Sequence, residues 1–182
     1  MANLDKGSAR SLCHLDNIIR IVDIKNLKPR QNGDFKQGYF QPRNPEKYMG
    51  DPTKIIWRSS WEFRFMTWCD IHPQIKQWSS EPVPIPYNNP VTKKVAKYFV
   101  DFYIVVEKNG VLESYLIEVK PNSQTKPPNQ KLLEGNRTLK KIQSYNWQLK
   151  TYVVNKAKFE AAVQFAKSRG MKFAICDEKF LF

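Results

Sequence analysis

Two stretches decide the fold: Tyr98-Phe99-Val100-Asp101-Phe102-Tyr103-Ile104-Val105-Val106 and Leu116-Ile117-Glu118-Val119-Lys120. The first reads as a buried strand interrupted by a single carboxylate, the second as a strand ending in a carboxylate and an ammonium. Each strand carries a charge where a core should have none. A buried charge costs several kcal/mol unless it is paired or coordinates a metal, so Asp101 and Glu118 are read together as one site. Lys108-Asn109-Gly110 supplies the turn that makes strands 97–107 and 113–120 an antiparallel hairpin. Along the second strand Glu118 and Lys120 project from one face, while Ile117 and Val119 point to the other.

Working outward, Val83-Pro84-Ile85-Pro86-Tyr87 suits an edge strand, because proline cannot donate to a ladder on both sides. It is expected to join the hairpin in a single sheet. Upstream, Arg58-Ser59-Ser60-Trp61-Glu62 opens a helix with Ser59 as N-cap, and Trp61, Phe65 and Trp68 follow at core-facing spacing. Glu62 stands three residues after Ser59, so a capping box is an alternative to any chemical role for it. Downstream, Asn155 is expected to cap a helix running to Arg169 with Gly170 as its stop. Phe159, Ala162, Val163 and Ala166 repeat at i, i+3, i+4 and i+7 along it, and a last strand, Met171 to Cys176, returns to the sheet. The fold class is α/β: a mixed sheet flanked by helices, with residues 1–50 as an extended N-terminal arm and 51–182 as the functional domain. The arm segment from Gly38 to Tyr48 mixes cations with aromatic rings. It either contacts DNA or a neighbouring subunit, or wraps its own core.

Composition bounds the function. A chain of 182 residues with 41% apolar content and five tryptophans can bury one substantial core. Thirty basic against seventeen acidic residues give a net charge of +13, which favours nucleic acid as the partner. Arg58, Lys93, Lys94, Lys126, Lys131 and Arg137 are the candidate contacts to double-stranded DNA. No apolar stretch approaches the roughly 20 residues of a membrane span, and the amino terminus lacks a signal peptide's apolar core, so no membrane partner and a cytoplasmic location are expected. Cys13, Cys69 and Cys176 are odd in number and widely spaced, which argues against a disulfide framework. Cys69 and His72 have a C-x-x-H spacing, but with only Cys13 and His14 as remote partners a buried free thiol is the better account than zinc. With seven glycines and no glycine-rich phosphate loop, nucleotide hydrolysis is not indicated.

The acids permit one kind of chemistry above others. Glu62, Asp101 and Glu118 offer the hard oxygen ligands that suit Mg²⁺ or Mn²⁺, an ion that polarises a phosphate and lowers the pKa of an attacking water. Lys120 would orient that water or stabilise the charge that develops on phosphorus. The bland alternative is a solvent-facing Glu118–Lys120 pair with Asp101 at an edge. Glu81 either supports the metal site or pairs with a nearby cation. Gln148-Leu149-Lys150-Thr151-Tyr152 has the Q-x-x-x-Y form of RecB-like exonucleases, although so short a match is more simply a helix or strand with surface Gln148 and core Tyr152.

Taken in order, Tyr39-Phe40-Gln41-Pro42-Arg43-Asn44-Pro45-Glu46-Lys47-Tyr48, Trp57-Arg58-Ser59-Ser60-Trp61-Glu62, Trp78-Ser79-Ser80-Glu81-Pro82, Tyr98-Phe99-Val100-Asp101-Phe102-Tyr103 and Leu116-Ile117-Glu118-Val119-Lys120-Pro121 resemble the successive motifs of the head completion nucleases of large contractile-tailed bacteriophages. The resemblance runs from about Gly38 to the carboxyl terminus and includes Asn155 to Ala162. More distantly, the pattern is similar to TnsA transposon endonuclease and other restriction-endonuclease-like enzymes of the PD-(D/E)XK type. It implies a metal-dependent deoxyribonuclease with endonuclease and exonuclease activity, working in virion assembly before the tail joins the head. It further implies head, portal or neck proteins as partners, and a location in the host cytoplasm during assembly or in the virion neck. Carried over by position, Glu62, Asp101 and Glu118 become metal-site acids and Lys120 the catalytic lysine. A contrasting reading is a non-catalytic basic connector that plugs the head portal and binds DNA.

Overall fold

Asp101 divides what the sequence presents as one long strand. In the computed structural model, which describes residues 37–130 and 138–181, β5 (Val95–Phe99) and β6 (Phe102–Lys108) are separate strands of different sheets. The cause lies at Asp101 itself. Its Oδ2 accepts the Val119 N–H at 2.8 Å and its carbonyl accepts the Glu81 N–H at 2.8 Å. Backbone and side chain are therefore committed to two different neighbours, and the chain leaves the ladder there. β5 pairs antiparallel with β4 (Pro84–Asn88) in a two-stranded sheet of its own, so the prolines of β4 lie on a small hairpin and not on the edge of the main sheet. The expectation that these three strands share one sheet is corrected accordingly.

The main sheet has the order β3-β6-β7-β8, formed by β3 (Ile75–Ser80), β6, β7 (Val111–Val119) and β8 (Lys172–Cys176). β6 and β7 form the antiparallel hairpin that the Asn109-Gly110 turn demands, with Asn109 at φ 51° and Gly110 at φ 76°. β8 runs parallel to β7. Parallel pairing needs a long crossover, and α2 (Leu139–Ser168) provides it. This helix begins well before Asn155. Thr138 is its N-cap, and Asn155 sits mid-helix, buried, with Nδ2 donating to the Gln124 carbonyl at 3.3 Å. The first half of the helix escaped sequence reading because it buries no face: Leu139 is 78% and Trp147 63% exposed. Gly170, at φ 69°, ends the turn after α2 in the left-handed conformation a glycine tolerates.

Two apolar layers enclose the sheet. On one face Phe102, Ile104, Val106, Ile117 and Val119 pack against Phe65, Met66 and Cys69 of α1 (Ser60–Ile71). On the other, Tyr103, Val105 and Leu116 pack against Ala162 and Ala166 of α2 and against Ile85, Tyr87 and Tyr98 of the β4–β5 hairpin. The alternation of β7 therefore places Leu116, Glu118 and Lys120 on the α2 face.

The segment around Phe40, which joins β1 (Gly38–Tyr39) to its short antiparallel partner β2 (Ile56–Trp57), wraps its own core. Phe40 is buried edge-on to Trp78, and Tyr48 meets the same indole at 4.7 Å between centroids. Asp70, buried at the end of α1, accepts the backbone N–H groups of Arg43 at 2.7 Å and Asn44 at 3.0 Å. Lys47 Nζ donates in return to the carbonyls of Asp70 and His72 at 2.8 and 3.1 Å, satisfying the C-terminus of the helix.

Candidate active site

The site forms where β6 begins and β7 ends. The antiparallel register pairs Phe102 with Ile117, so Asp101 falls opposite Glu118 one step further on. Glu118 is 3% exposed, and its two oxygens are held by different partners: Lys120 Nζ at 2.9 Å from Oε1, and the Tyr98 hydroxyl donating to Oε2 at 2.5 Å. Glu118 and Lys120 are thus not the solvent-facing pair of the bland reading. Burial pushes the Asp101 carboxyl well above the usual carboxylate range, and the neighbouring Glu118 pushes it further, with Lys120 opposing. Burial of Lys120 pulls its pKa down, but Glu118, Asp101 and Glu62 together outweigh this and leave it raised. The raised pKa and the pair with Glu118 keep Lys120 an ammonium at neutral pH.

Glu62 arrives from the other face of the sheet and is occupied there. The Arg58 N–H donates to its Oε2 at 2.9 Å and the Ser59 hydroxyl to its Oε1 at 3.0 Å, while its own N–H donates to Ser59 Oγ at 3.1 Å. This is a variant of the capping box of α1, in which the Glu62 carboxylate takes the backbone N–H of Arg58, one residue before the N-cap, and the hydroxyl of Ser59. Its charge still reaches the site, since it contributes to the shifts of Asp101, Lys120 and Glu81. Glu81 pairs with Arg58 at 3.0 Å. Burial raises the Glu81 carboxyl, Arg58 opposes that and Glu62 adds to it. Glu81 also adopts φ 45°, a left-handed conformation that costs a non-glycine residue roughly 1–2 kcal/mol. That turn is what aims its N–H at the Asp101 carbonyl.

Two residues of this cluster were not read as functional from sequence. Tyr98 stands in the apolar run of β5, where the signal was its hydroxyl: a buried tyrosine needs a partner, and Glu118 is that partner. Lys158 lies on α2 four and eight residues before Ala162 and Ala166, so it continues the buried stripe of the helix. A lysine on a buried stripe was the available sign. Its Nζ lies 5.5 Å from the Tyr98 ring centroid and 5.9 Å from that of Tyr87.

The remaining candidates spread over the surface. Lys93 and Lys94 are exposed in the β4–β5 turn, with Lys93 at φ 58°, and Lys126 is exposed after β7. Lys131 and Arg137 lie outside the described residues, as do Cys13 and His14. Gln148 donates to Ser144 along α2, and Tyr152 lines a separate cavity of about 300 Å³ with Lys156, Phe159 and Gln164. Cys69 and Cys176 are free and buried, and burial raises both thiols, that of Cys176 to about 12. Both are packing residues. Among the described residues no helix is long and apolar enough to cross a membrane.

Among the described residues no three His, Cys, Asp or Glu side chains form a ready metal cage. The donor chemistry nonetheless fits a hard divalent cation. Asp101, half-buried, and Glu118, buried, bring two carboxylates together where β6 begins and β7 ends, and carboxylate oxygens are the donors that a hard divalent cation takes. Glu62 stands behind them with its oxygens taken by the helix cap.

A mixed sheet flanked by helices, with an acid at the start of one strand and an E-x-K at the end of its neighbour, is a restriction-endonuclease-like core. Residues 72–178 match the family described as TnsA-like endonuclease N terminal, a span that holds Asp101, Glu118, Lys120 and Lys158 but stops short of Glu62. The chain belongs to this endonuclease family. More narrowly, it is 36% identical over 141 residues to the head completion nuclease of Enterobacteria phage T4, an alignment that covers 78% of this chain and 90% of that protein. No solved structure gives a significant match.

Proposed function

We propose that this protein is a deoxyribonuclease that hydrolyses DNA phosphodiesters with Mg²⁺ or Mn²⁺ during phage head completion, before head–tail joining. The observation that carries the reading is the convergence of Asp101 and Glu118 on one buried corner beside the Lys120 ammonium. Asp101 and Glu118 would hold the metal, which when bound polarises the scissile phosphate and acidifies water. Glu62 contributes negative field from behind its cap. Tyr98 fixes the Glu118 carboxylate, and the Val119 N–H fixes that of Asp101. Lys120, kept protonated by the acids around it, stabilises the negative charge that develops on the phosphoryl oxygens. Arg58, Lys93, Lys94 and Lys126, with Lys131 and Arg137, are the proposed contacts to the duplex backbone. The T4 relative's name supports the assignment to head completion, and with it phage head or portal proteins as partners in the host cytoplasm or the virion neck.

One observation favours the contrasting reading of a non-catalytic connector: both Glu62 oxygens are spent on the helix cap. The decisive experiment incubates the purified protein with linear and with closed circular DNA across a Mg²⁺ and Mn²⁺ titration. Cleavage of the circle establishes endonuclease activity, and progressive shortening of the linear duplex establishes exonuclease activity. Glu118→Ala and Asp101→Ala should each lower the rate by roughly a hundredfold or more, the scale of metal-assisted chemistry, while the far-ultraviolet spectrum stays native. DNA binding without metal-dependent cleavage by the unaltered protein would select the connector.

A further inference from the structure

Among the described residues the Lys158 ammonium has aromatic rings but no contacting carboxylate around it. The residue is half-buried between α2 and the β4–β5 hairpin, on the same stripe as the fully buried Ala162 and Ala166. Among the described residues it makes no ion pair. The acids whose field it feels, Glu118 and Asp101, are held by Lys120, Tyr98 and the Val119 N–H. Burial lowers the pKa of Lys158; Glu118 and Asp101 oppose the shift and Lys120 adds to it. Most lysines on a helix send the ammonium to water along a flexible stem. This one is instead seated over two aromatic rings, Tyr98 and Tyr87, which attract a cation through their faces but add no negative charge.

A desolvated ammonium without a contacting anion, placed beside a carboxylate corner that already holds one lysine, is suited to an anion brought by the substrate. We propose that Lys158 is a phosphate-binding residue of the active site, its ammonium set over Tyr98 and Tyr87 and taking a non-bridging phosphate oxygen of the DNA strand. Lys120, just past the end of β7, and Lys158 from α2 then approach the strand from two independent elements. This is a recognition contact by a point charge, with no covalent step. The inference rests on the reading of the chain as a DNA-processing protein, and it names a contact that sequence alone did not indicate.

The test uses the full chain and a fluorescently labelled DNA duplex, with binding followed by anisotropy in EDTA across a salt series. Each phosphate contact contributes about 0.9 to the slope of log affinity against log salt. Lys158→Met and Lys158→Gln should each flatten that slope by about one unit, whereas Lys158→Arg should keep it. Lys76→Met is the control, because Lys76 pairs with Glu107 at the opposite end of β6 and should leave the slope unchanged. In Mg²⁺ the same Lys158 variants should lose severalfold in kcat/KM. A purely structural Lys158 would shift the melting temperature and not the slope, so a folded Lys158→Gln protein with the wild-type slope overturns the proposal. Failure of the unaltered protein to cleave under any divalent metal, with the slope change intact, would instead sink the nuclease reading and leave the phosphate contact standing. If the unaltered protein does not bind DNA, both fall.

Discussion

Tyr98→Phe removes one oxygen atom from a buried position, and its effect follows from the geometry around Glu118. The Tyr98 hydroxyl donates to Glu118 Oε2 at 2.5 Å, where the carboxylate is 3% exposed and no water can replace the lost donor cheaply. A hydrogen bond to a charged group contributes about 1.5–3 kcal/mol, so the variant should be destabilised by that amount at neutral pH. For a chain of 182 residues this corresponds to a fall of roughly 3–12 °C in melting temperature. Tyr103→Phe is the matched comparison, because the Tyr103 hydroxyl donates to the neutral Ser114 Oγ at 3.1 Å. It should cost only about 0.5–1.5 kcal/mol. Urea unfolding of Tyr98→Phe, Glu118→Gln and the double variant closes a cycle, and a coupling energy of about 1 kcal/mol or more is expected for two groups in direct contact. Cleavage should fall as well, since Glu118 is then held only by Lys120. A Tyr98→Phe protein as stable as the original, with no coupling in the cycle, would refute the assignment of Tyr98 as the residue that positions Glu118.

The pH dependence of Asp101 has a definite sign. Its folded-state pKa is raised, so the stability it contributes is complete below the ordinary carboxylate pKa and is lost as pH rises through the folded value. Asp101→Asn, which keeps an oxygen for the Val119 N–H, should therefore raise the melting temperature at neutral pH in EDTA, with a gain that shrinks towards pH 4 and below while cleavage is abolished at every pH; a gain independent of pH would contradict the burial argument. Lys120→Gln should lower kcat far more than DNA affinity, because a charge assigned to the transition state is not missed in the ground state; an affinity loss with normal turnover of bound DNA would make Lys120 a simple phosphate contact. Asp70→Ala strips the acceptor from the Arg43 and Asn44 N–H groups, and urea unfolding should show a loss of roughly 3 kcal/mol or more for two charge-assisted bonds, with the Phe40 segment becoming susceptible to protease.

Much of the candidate corner was legible because charge in a core strand is anomalous whatever the fold. Asp101, Glu118 and Lys120 violate the apolar pattern of their strands, and a strand's twofold period alone puts Glu118 and Lys120 on one face. The Ser59–Glu62 capping box and the Asn109-Gly110 hairpin were equally local, since each closes within a few residues of backbone. What sequence could not supply was everything that depends on which distant backbone donor finds which acceptor. The break at Asp101 exists because Val119 and Glu81, far off in the chain, claim its two oxygen-bearing groups; that break sends β5 into a separate hairpin and brings Tyr98 over Glu118. The early start of α2 was hidden because an exposed helix needs no apolar period, and the place of Lys158 was hidden because a lysine's role is set by the rings and acids that other elements bring to it. Local pattern fixes which residues are out of place in a strand or helix. Only tertiary contact decides what repays their burial.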